Sequence, residues 1–250
     1  MEQFLAGKVA LVTGSSRGLS RQIINHFQAS GARGLGIDQI PDDERSGEGW
    51  IYHQADVSDE NGMSKAMDVI DQHFGQLDIV VANAGLVPPW SKIEELEMSE
   101  WDHVFAVNVR GVVITMKHAV PQMKKNGGSI ILMGSINSGR GHAGQTLYSA
   151  TKHAVLGIVR SSALDLGSHG IRVNAIGPGP IATEALKTRI TARSKQGGLP
   201  VQAALAEFGS QTALGRIATE EEVASTAVFL ASDLSAGISG QIIVVDAGLA

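Results

Sequence analysis

Short, almost unbroken apolar runs alternate with longer segments of helical period along the whole chain. That alternation narrows the available folds more than any other feature. The runs are KVALVT (8–13), RGLGI (33–37), WIYHQ (50–54), DIVVA (78–82), SIILMG (129–134), IRVNAI (171–176) and QIIVVD (241–246). A strand with one solvated face alternates apolar and polar residues, whereas a strand covered on both faces is apolar nearly throughout. Helical patterns near 18–29, 60–74, 99–124, 148–167 and 220–231 fall between the runs. Strand and helix in this order predict a doubly wound α/β fold, a seven-stranded parallel sheet with helices on both faces. The 250 residues show no internal repeat and no composition break, so a single domain over 1–250 is expected. Residues 184–215 depart from the rhythm: they are polar, basic in their first half, and contain QGGLP. They form either a mobile lid of short helices over a substrate or a surface insertion.

Charge and composition exclude several classes. Net charge is −5 with the two signs mixed, and no basic block suggests nucleic acid or a membrane surface. No cysteine is present, which removes disulfides, thiolate catalysis and zinc–thiolate sites. The eight histidines are scattered without an HExxH, so no metal site is expected. The start MEQFLAGK lacks the pattern of a secretory signal, and no apolar run reaches the length of a membrane span. The expectation is a soluble, cytoplasmic protein that acts on a small molecule.

VALVTGSSRGLS reads as a strand, a glycine turn and a helix start. Gly14 permits the tight turn, and Gly18 lets a ligand approach the backbone at the helix N-terminus, where free N–H groups and the helix dipole attract phosphate. Asp38 closes the next strand, where a carboxylate accepts from the hydroxyls of an adenosine ribose. The same turn also fits G-x-S-x-G, the nucleophile elbow of a hydrolase with Ser16 as nucleophile. That reading leaves Asp38 unexplained. It also leaves unexplained LYSATK (147–152), which sets Tyr148 four residues before Lys152 and so on one helix face. A nearby ammonium favours a phenolate and lowers the phenol's pKa.

Taken together these motifs resemble the short-chain dehydrogenase/reductase family over nearly the whole length, and so imply a Rossmann fold. The TGxxxGxG turn is present as Thr13 to Ser20, ADV at 55–57 resembles the adenine-contacting element, and ANAG at 82–85 resembles NNAG. VNV at 107–109 resembles the segment of the catalytic asparagine, and Ser135 precedes Tyr148 by the family's thirteen residues. PGPIAT (178–183) resembles the segment over the nicotinamide, and VDAG (245–248) the usual VDGG. Ser20 replaces the third glycine of the turn, which implies a small helix shift and altered cofactor affinity. Ala82 and Ala247 are small replacements.

The resemblance implies Tyr148 as general acid/base. Lys152 lowers its pKa and holds the nicotinamide ribose, Ser135 stabilises charge on the substrate oxygen, and Asn108 holds a water that relays protons. The plainer reading of Asn108 is that it satisfies backbone groups, and Ser138 competes with Ser135 but at the wrong spacing. Cofactor contacts are implied at Gly14, Ser16, Arg17, Gly18, Leu19, Asp38, Asp56, Val57, Asn83, Ala84 and Gly85. Tyr148, Lys152, Pro178, Gly179, Ile181 and Thr183 complete that set. Arg17 suits an NADP phosphate, but Asp38 repels one. Like-charge juxtaposition costs several kcal/mol, against about 1 returned by a partly exposed arginine, so NAD is expected over NADP. Asn137, His142, Gln145 and Trp90, with Lys187, Arg189 and Arg193 on the possible lid, are the substrate candidates. They suggest a small polar alcohol such as a sugar, polyol or hydroxy acid. The alternatives are an NADPH-dependent 3-oxoacyl-carrier-protein reductase, a catalytically silent regulatory or scaffold protein of the same fold, and the Ser16 hydrolase. The resemblance also implies a homotetramer.

Overall fold

Every apolar run of the sequence forms a strand of one sheet. The computed structural model describes residues 3–41, 49–195 and 197–249, so Gln196 of the QGGLP stretch lies outside the described residues. The chain begins with β1 (Val9–Thr13), α1 (Gly18–Ala29), β2 (Arg33–Asp38), β3 (Trp50–Gln54), α2 (Glu60–Phe74) and β4 (Ile79–Ala82). It continues with α3 (Met98–Phe105), α4 (Gly111–Met123), β5 (Gly128–Met133), α5 (Thr146–Leu166) and β6 (Ile171–Pro178). It closes with α6 (Glu184–Ser194), α7 (Val201–Ser210), α8 (Glu220–Ala231) and β7 (Ile242–Val245). All seven strands are parallel, in the order β3-β2-β1-β4-β5-β6-β7.

The periodicities explain the layers. All residues of β1 and β4 are buried, as strands covered on both faces must be. On α1 the buried residues Ser20, Ile23, Ile24 and Phe27 recur at helical spacing, and on α2 Met63, Ala66, Met67 and Ile70 do the same. Helix α2 is started by the Asp59 side chain and stopped by Gly75 in the left-handed region. The apolar stripes of α2, α4 and α5 close one face of the sheet. Those of α1 and α8 close the other. The helix expected at 99–124 is interrupted: Ala106–Arg110 form a π turn between α3 and α4, and this turn carries Asn108. Residues 184–215 contain α6 and α7, two short helices that pack on each other.

The strand order reverses at β1, with β2 on one side and β4 on the other. Connections on either side of that point leave in opposite directions, which opens a crevice above the C-terminal ends of β1 and β4. Gly14 follows β1 at φ +70°, and a Cβ there would stand 2.9 Å from the Ala84 Cα. Only glycine lets the two strand ends come so close.

Ser20 fastens α1 to this junction. It is fully buried. Its Oγ donates to the Thr13 carbonyl at 3.0 Å and accepts from the Asn83 amide. The extra atom that the sequence placed where a glycine is usual is thus absorbed as a hydrogen-bonded link. Ser20→Ala removes one hydrogen bond from the buried Thr13 carbonyl and one from the half-buried Asn83 amide, which costs about 1–3 kcal/mol. The urea midpoint should fall accordingly, with an unchanged slope. An unchanged midpoint would show that the link contributes nothing.

Candidate active site

The crevice has the parts of a dinucleotide cradle. Thr13 Oγ1 accepts from the backbone N–H groups of Asn83 and Ala84, both at 3.1 Å, and so fixes the end of β4 beside the glycine turn. No side chain caps the N-terminus of α1. Gly18 has φ +59°, and a Cβ there would meet nothing within 4 Å. A helix N-terminus with uncapped N–H groups and open space beside it suits a pyrophosphate. Asp38 ends β2, and its two carboxylate oxygens accept from the backbone of Ser16 at 3.0 Å and Ile40 at 3.1 Å. Among the described residues each oxygen accepts one such bond and keeps a further lone-pair direction, enough for ribose hydroxyls. Arg17 is exposed. Burial alone would raise the Asp56 carboxyl, but the Ser58 backbone and hydroxyl, both at 2.7 Å, outweigh it with help from Gln39 and His103 and hold it below the usual carboxylate range. The Val57 side chain is spent in the core, tight against Gly111. These residues fit a nicotinamide dinucleotide.

At the C-terminal ends of β5 and β6 the catalytic candidates converge. Ser135 follows β5 and starts a 3-10 turn at Ile136–Ser138, accepting from the Asn137 backbone at 3.2 Å. Ser138, the competing serine, has its hydroxyl engaged in the same cap, where it accepts from the Ser135 N–H. Tyr148 lies in the first turn of α5, and its side chain lines the same cavity as Ser135, whose hydroxyl acts on the phenol. Lys152 lies one turn on, buried, with Nζ 5.5 Å from the Tyr148 ring centroid and donating to the Met133 carbonyl at 2.7 Å. The expected lowering of the Tyr148 pKa is not what this structure shows. Burial pushes the phenol up, while the Ser135 hydrogen bond and the charge of Arg189 pull the other way. It is Lys152 that moves far, pushed down to about 8 by burial.

Asn108 is buried on the π turn, and its carboxamide clasps the backbone of Leu86, accepting from N–H at 2.7 Å and donating to C=O at 2.8 Å. A longer bond reaches Thr151 on α5. Asn108 therefore ties the loop after β4 to the helix of Tyr148.

Between these residues and the 184–215 segment lies a cavity of about 270 Å³. Ser135, Tyr148 and Asn137 line its base, and Pro178, Gly179, Ile181 and Thr183 one wall. Val87, Trp90, His142 and Gln145 line another wall, and Leu186 and Arg189 of α6 the roof. Asn137 spends its amide on Ser149 at 2.9 Å and Gln145 at 3.1 Å, so it sets the shape of the base. Burial, then the Arg140 charge, hold the His142 imidazole below its usual pKa, so it is neutral at pH 7. Trp90 carries Arg189 over its ring at 3.9 Å from the centroid and Arg193 at 5.2 Å. Phe208 and Gln211, at the end of α7, and Leu249 also reach the cavity. No local pattern marked these three, because only the fold of the chain's last quarter brings them over Tyr148. A larger open hollow of about 720 Å³ runs along α8 and β7, and none of Ser135, Tyr148 and Lys152 lines it.

The lowered Lys152 gives a pH signature. Between about 8 and the free-lysine value of 10.5, the unfolded chain binds a proton that the folded protein has released. Stability therefore rises with pH in that window. Relative to Lys152→Met, the native protein should gain about 2 kcal/mol of unfolding free energy from pH 8 to 10, read by urea titration at each pH. A difference that stays flat would mean that the buried ammonium keeps its proton.

Comparison with known proteins agrees with this geometry. The family model described as Enoyl-(Acyl carrier protein) reductase matches residues 14–250. (+)-Borneol dehydrogenase 2 of Salvia officinalis is 38% identical, covering 98% of this chain and 89% of its own. Cis-4-hydroxycyclohexanecarboxylate dehydrogenase of Sinomonas cyclohexanicum is 33% identical, covering 99% and 98%. The ligand-free structure of Thermoplasma acidophilum aldohexose dehydrogenase superposes with a TM-score of 0.90 at 29% identity, covering 100% and 96%. With the strand order and the Ser135–Tyr148–Lys152 cluster, these likenesses place the chain in the short-chain dehydrogenase/reductase family of NAD(P)-using oxidoreductases.

Proposed function

We propose that the protein is an NAD-dependent dehydrogenase that interconverts a small polar secondary alcohol (a sugar, polyol or hydroxy acid) and its ketone. The observation that carries this reading is that Ser135 and Tyr148 line one cavity, with the buried Lys152 Nζ 5.5 Å from the Tyr148 ring centroid. A bound nicotinamide dinucleotide supplies the hydride chemistry. Tyr148 Oη takes the proton of the alcohol in oxidation when it stands as the phenolate, and as the phenol it gives its proton to the ketone oxygen in reduction. Ser135 Oγ holds the substrate oxygen and steadies charge that develops on it. Lys152 stands beside the phenol, and its charge favours the phenolate once a proton is on Nζ. Asn108 positions, through Thr151, the helix that carries both.

Asp38 supports NAD, since a 2′-phosphate would stand against a carboxylate that already holds the turn. The same residue weighs against an NADPH-dependent 3-oxoacyl-carrier-protein reductase. Arg189, Leu186, Phe208 and Gln211 over the cavity support a lid role for residues 184–215. The polar side chains of Gln145, His142 and Arg189 in the lining favour a substrate with hydrogen-bonding groups, because they are left without partners by a purely apolar one. Two relatives fit that character by name, one an aldohexose dehydrogenase and one a hydroxycyclohexanecarboxylate dehydrogenase, whereas borneol is an apolar alcohol.

A panel of polyols, sugars, hydroxy acids and bulky apolar alcohols, assayed with NAD and NADP, tests the reading. NAD should be preferred, and Asp38→Ala should narrow the preference at least about tenfold. Tyr148→Phe should lower turnover about 10²–10⁴-fold and leave NADH binding within a few-fold. Ordinary turnover by Tyr148→Phe, or a preference for bulky apolar alcohols over every polar one, would overturn it.

A further inference from the structure

The roof of the cavity holds a cation without a counter-ion. Nε and Nη2 of Arg189 are shut off from solvent, and among the described residues no protein group accepts from them. Among the described residues no aspartate or glutamate lines the cavity. Glu184, on the same helix, is engaged with Lys187 at 2.7 Å. His142 faces the same space as a neutral ring. Buried charged donors without acceptors are costly, and proteins seldom keep them without a purpose.

The guanidinium is also held in place. It lies 3.9 Å from the centroid of the Trp90 ring, a stacking distance. The loop of Trp90 is pinned in turn, since the Ser91 N–H donates to the Gly144 carbonyl at 2.9 Å beside Gln145. Arg189 is therefore a fixed fork whose Nε–Nη2 edge has no acceptor, the edge that a carboxylate matches with two parallel hydrogen bonds once a small shift of α6 admits it. A single unpaired cation suits a monoanion better than a phosphate dianion. Its charge is felt at the Tyr148 hydroxyl, and both residues line the one cavity, so a single small molecule can present an anion to Arg189 and an oxygen to Tyr148.

From this arrangement we infer that Arg189, stacked on Trp90, is the receptor for a substrate carboxylate, and that the substrate is a short or cyclic hydroxy acid whose carbinol faces Tyr148. The inference rests on the dehydrogenase reading above and narrows it from polar alcohols at large to anionic ones.

Two measurements separate the inference from that reading. First, unreactive carboxylates (acetate, succinate and cyclohexanecarboxylate) and their amides are titrated into the protein with NADH present, by calorimetry. At least one carboxylate should bind at least tenfold more tightly than its amide, and Arg189→Met should remove that advantage, with Arg189→Lys in between. Carboxylates that bind no better than amides, or equally well to native protein and Arg189→Met, would overturn the inference whatever the activity. Second, kcat/KM is measured for hydroxy acids and their amides. The native preference for the acid should fall at least about 30-fold in Arg189→Met, mostly through KM. Turnover of neutral alcohols with an unchanged acid-to-amide ratio would reject the carboxylate site while the dehydrogenase reading stands. Carboxylate binding that depends on Arg189, with no turnover of any alcohol, would do the reverse.

Discussion

The hydrogen-bonded junction of Thr13, Ser20 and Asn83 is the constraint on which the C-terminal edge of the sheet depends. Thr13 accepts from the ends of β4 through its hydroxyl and from Ser20 through its carbonyl, and Asn83 reaches back to Ser20. Three elements (β1, α1 and β4) are thereby locked where the strand order reverses. Gly14 lets them close to within contact of Ala84. Because Thr13 and Ser20 are buried and Asn83 half-buried, each polar partner helps to satisfy the others. The glycine turn, the uncapped start of α1 and the carboxylate of Asp38 are held relative to one another by it, and so is the loop from Leu86 that Asn108 clasps.

The cluster of Ser135, Tyr148 and Lys152 follows a different logic. Its chemistry is set by burial more than by the pair of residues that the sequence advertises. Lys152 gives up much of its affinity for a proton because it is enclosed, and Tyr148 is held protonated for the same reason. Arg189 lines the cavity and Lys152 lies buried one helical turn on from Tyr148, and among the described residues no carboxylate lines the cavity to offset them. Such a site is poised for negative charge, whether it develops on a phenolate or arrives with a ligand.

These features differ in how far the sequence reveals them. The sheet was legible because strands buried on both faces leave unbroken apolar runs, and each of the seven runs became a strand. Tyr148 and Lys152 were legible because helical spacing alone puts them on one face. The direction of the Tyr148 shift was not, since desolvation is a property of everything packed around the ring. The interruption of the helix at Ala106–Arg110 leaves no mark in a pattern that is apolar on both sides of it. Ser20 reads in the sequence as a replacement that shifts α1 slightly and alters cofactor affinity; the partners of its hydroxyl are supplied only by the folded chain. Trp90 and Arg189 could each be named as candidates, but their stacking joins positions about a hundred residues apart and needed the structure.

The central claim is that the crevice at β1 and β4 and the cavity over Tyr148 are two ends of one dinucleotide site. A crystal structure of the protein with NAD tests this most directly. The adenosine ribose hydroxyls should lie on Asp38, the pyrophosphate at the start of α1, and the nicotinamide ring in the cavity beside Tyr148. A dinucleotide bound elsewhere, or one whose nicotinamide end points away from Tyr148, would contradict the claim.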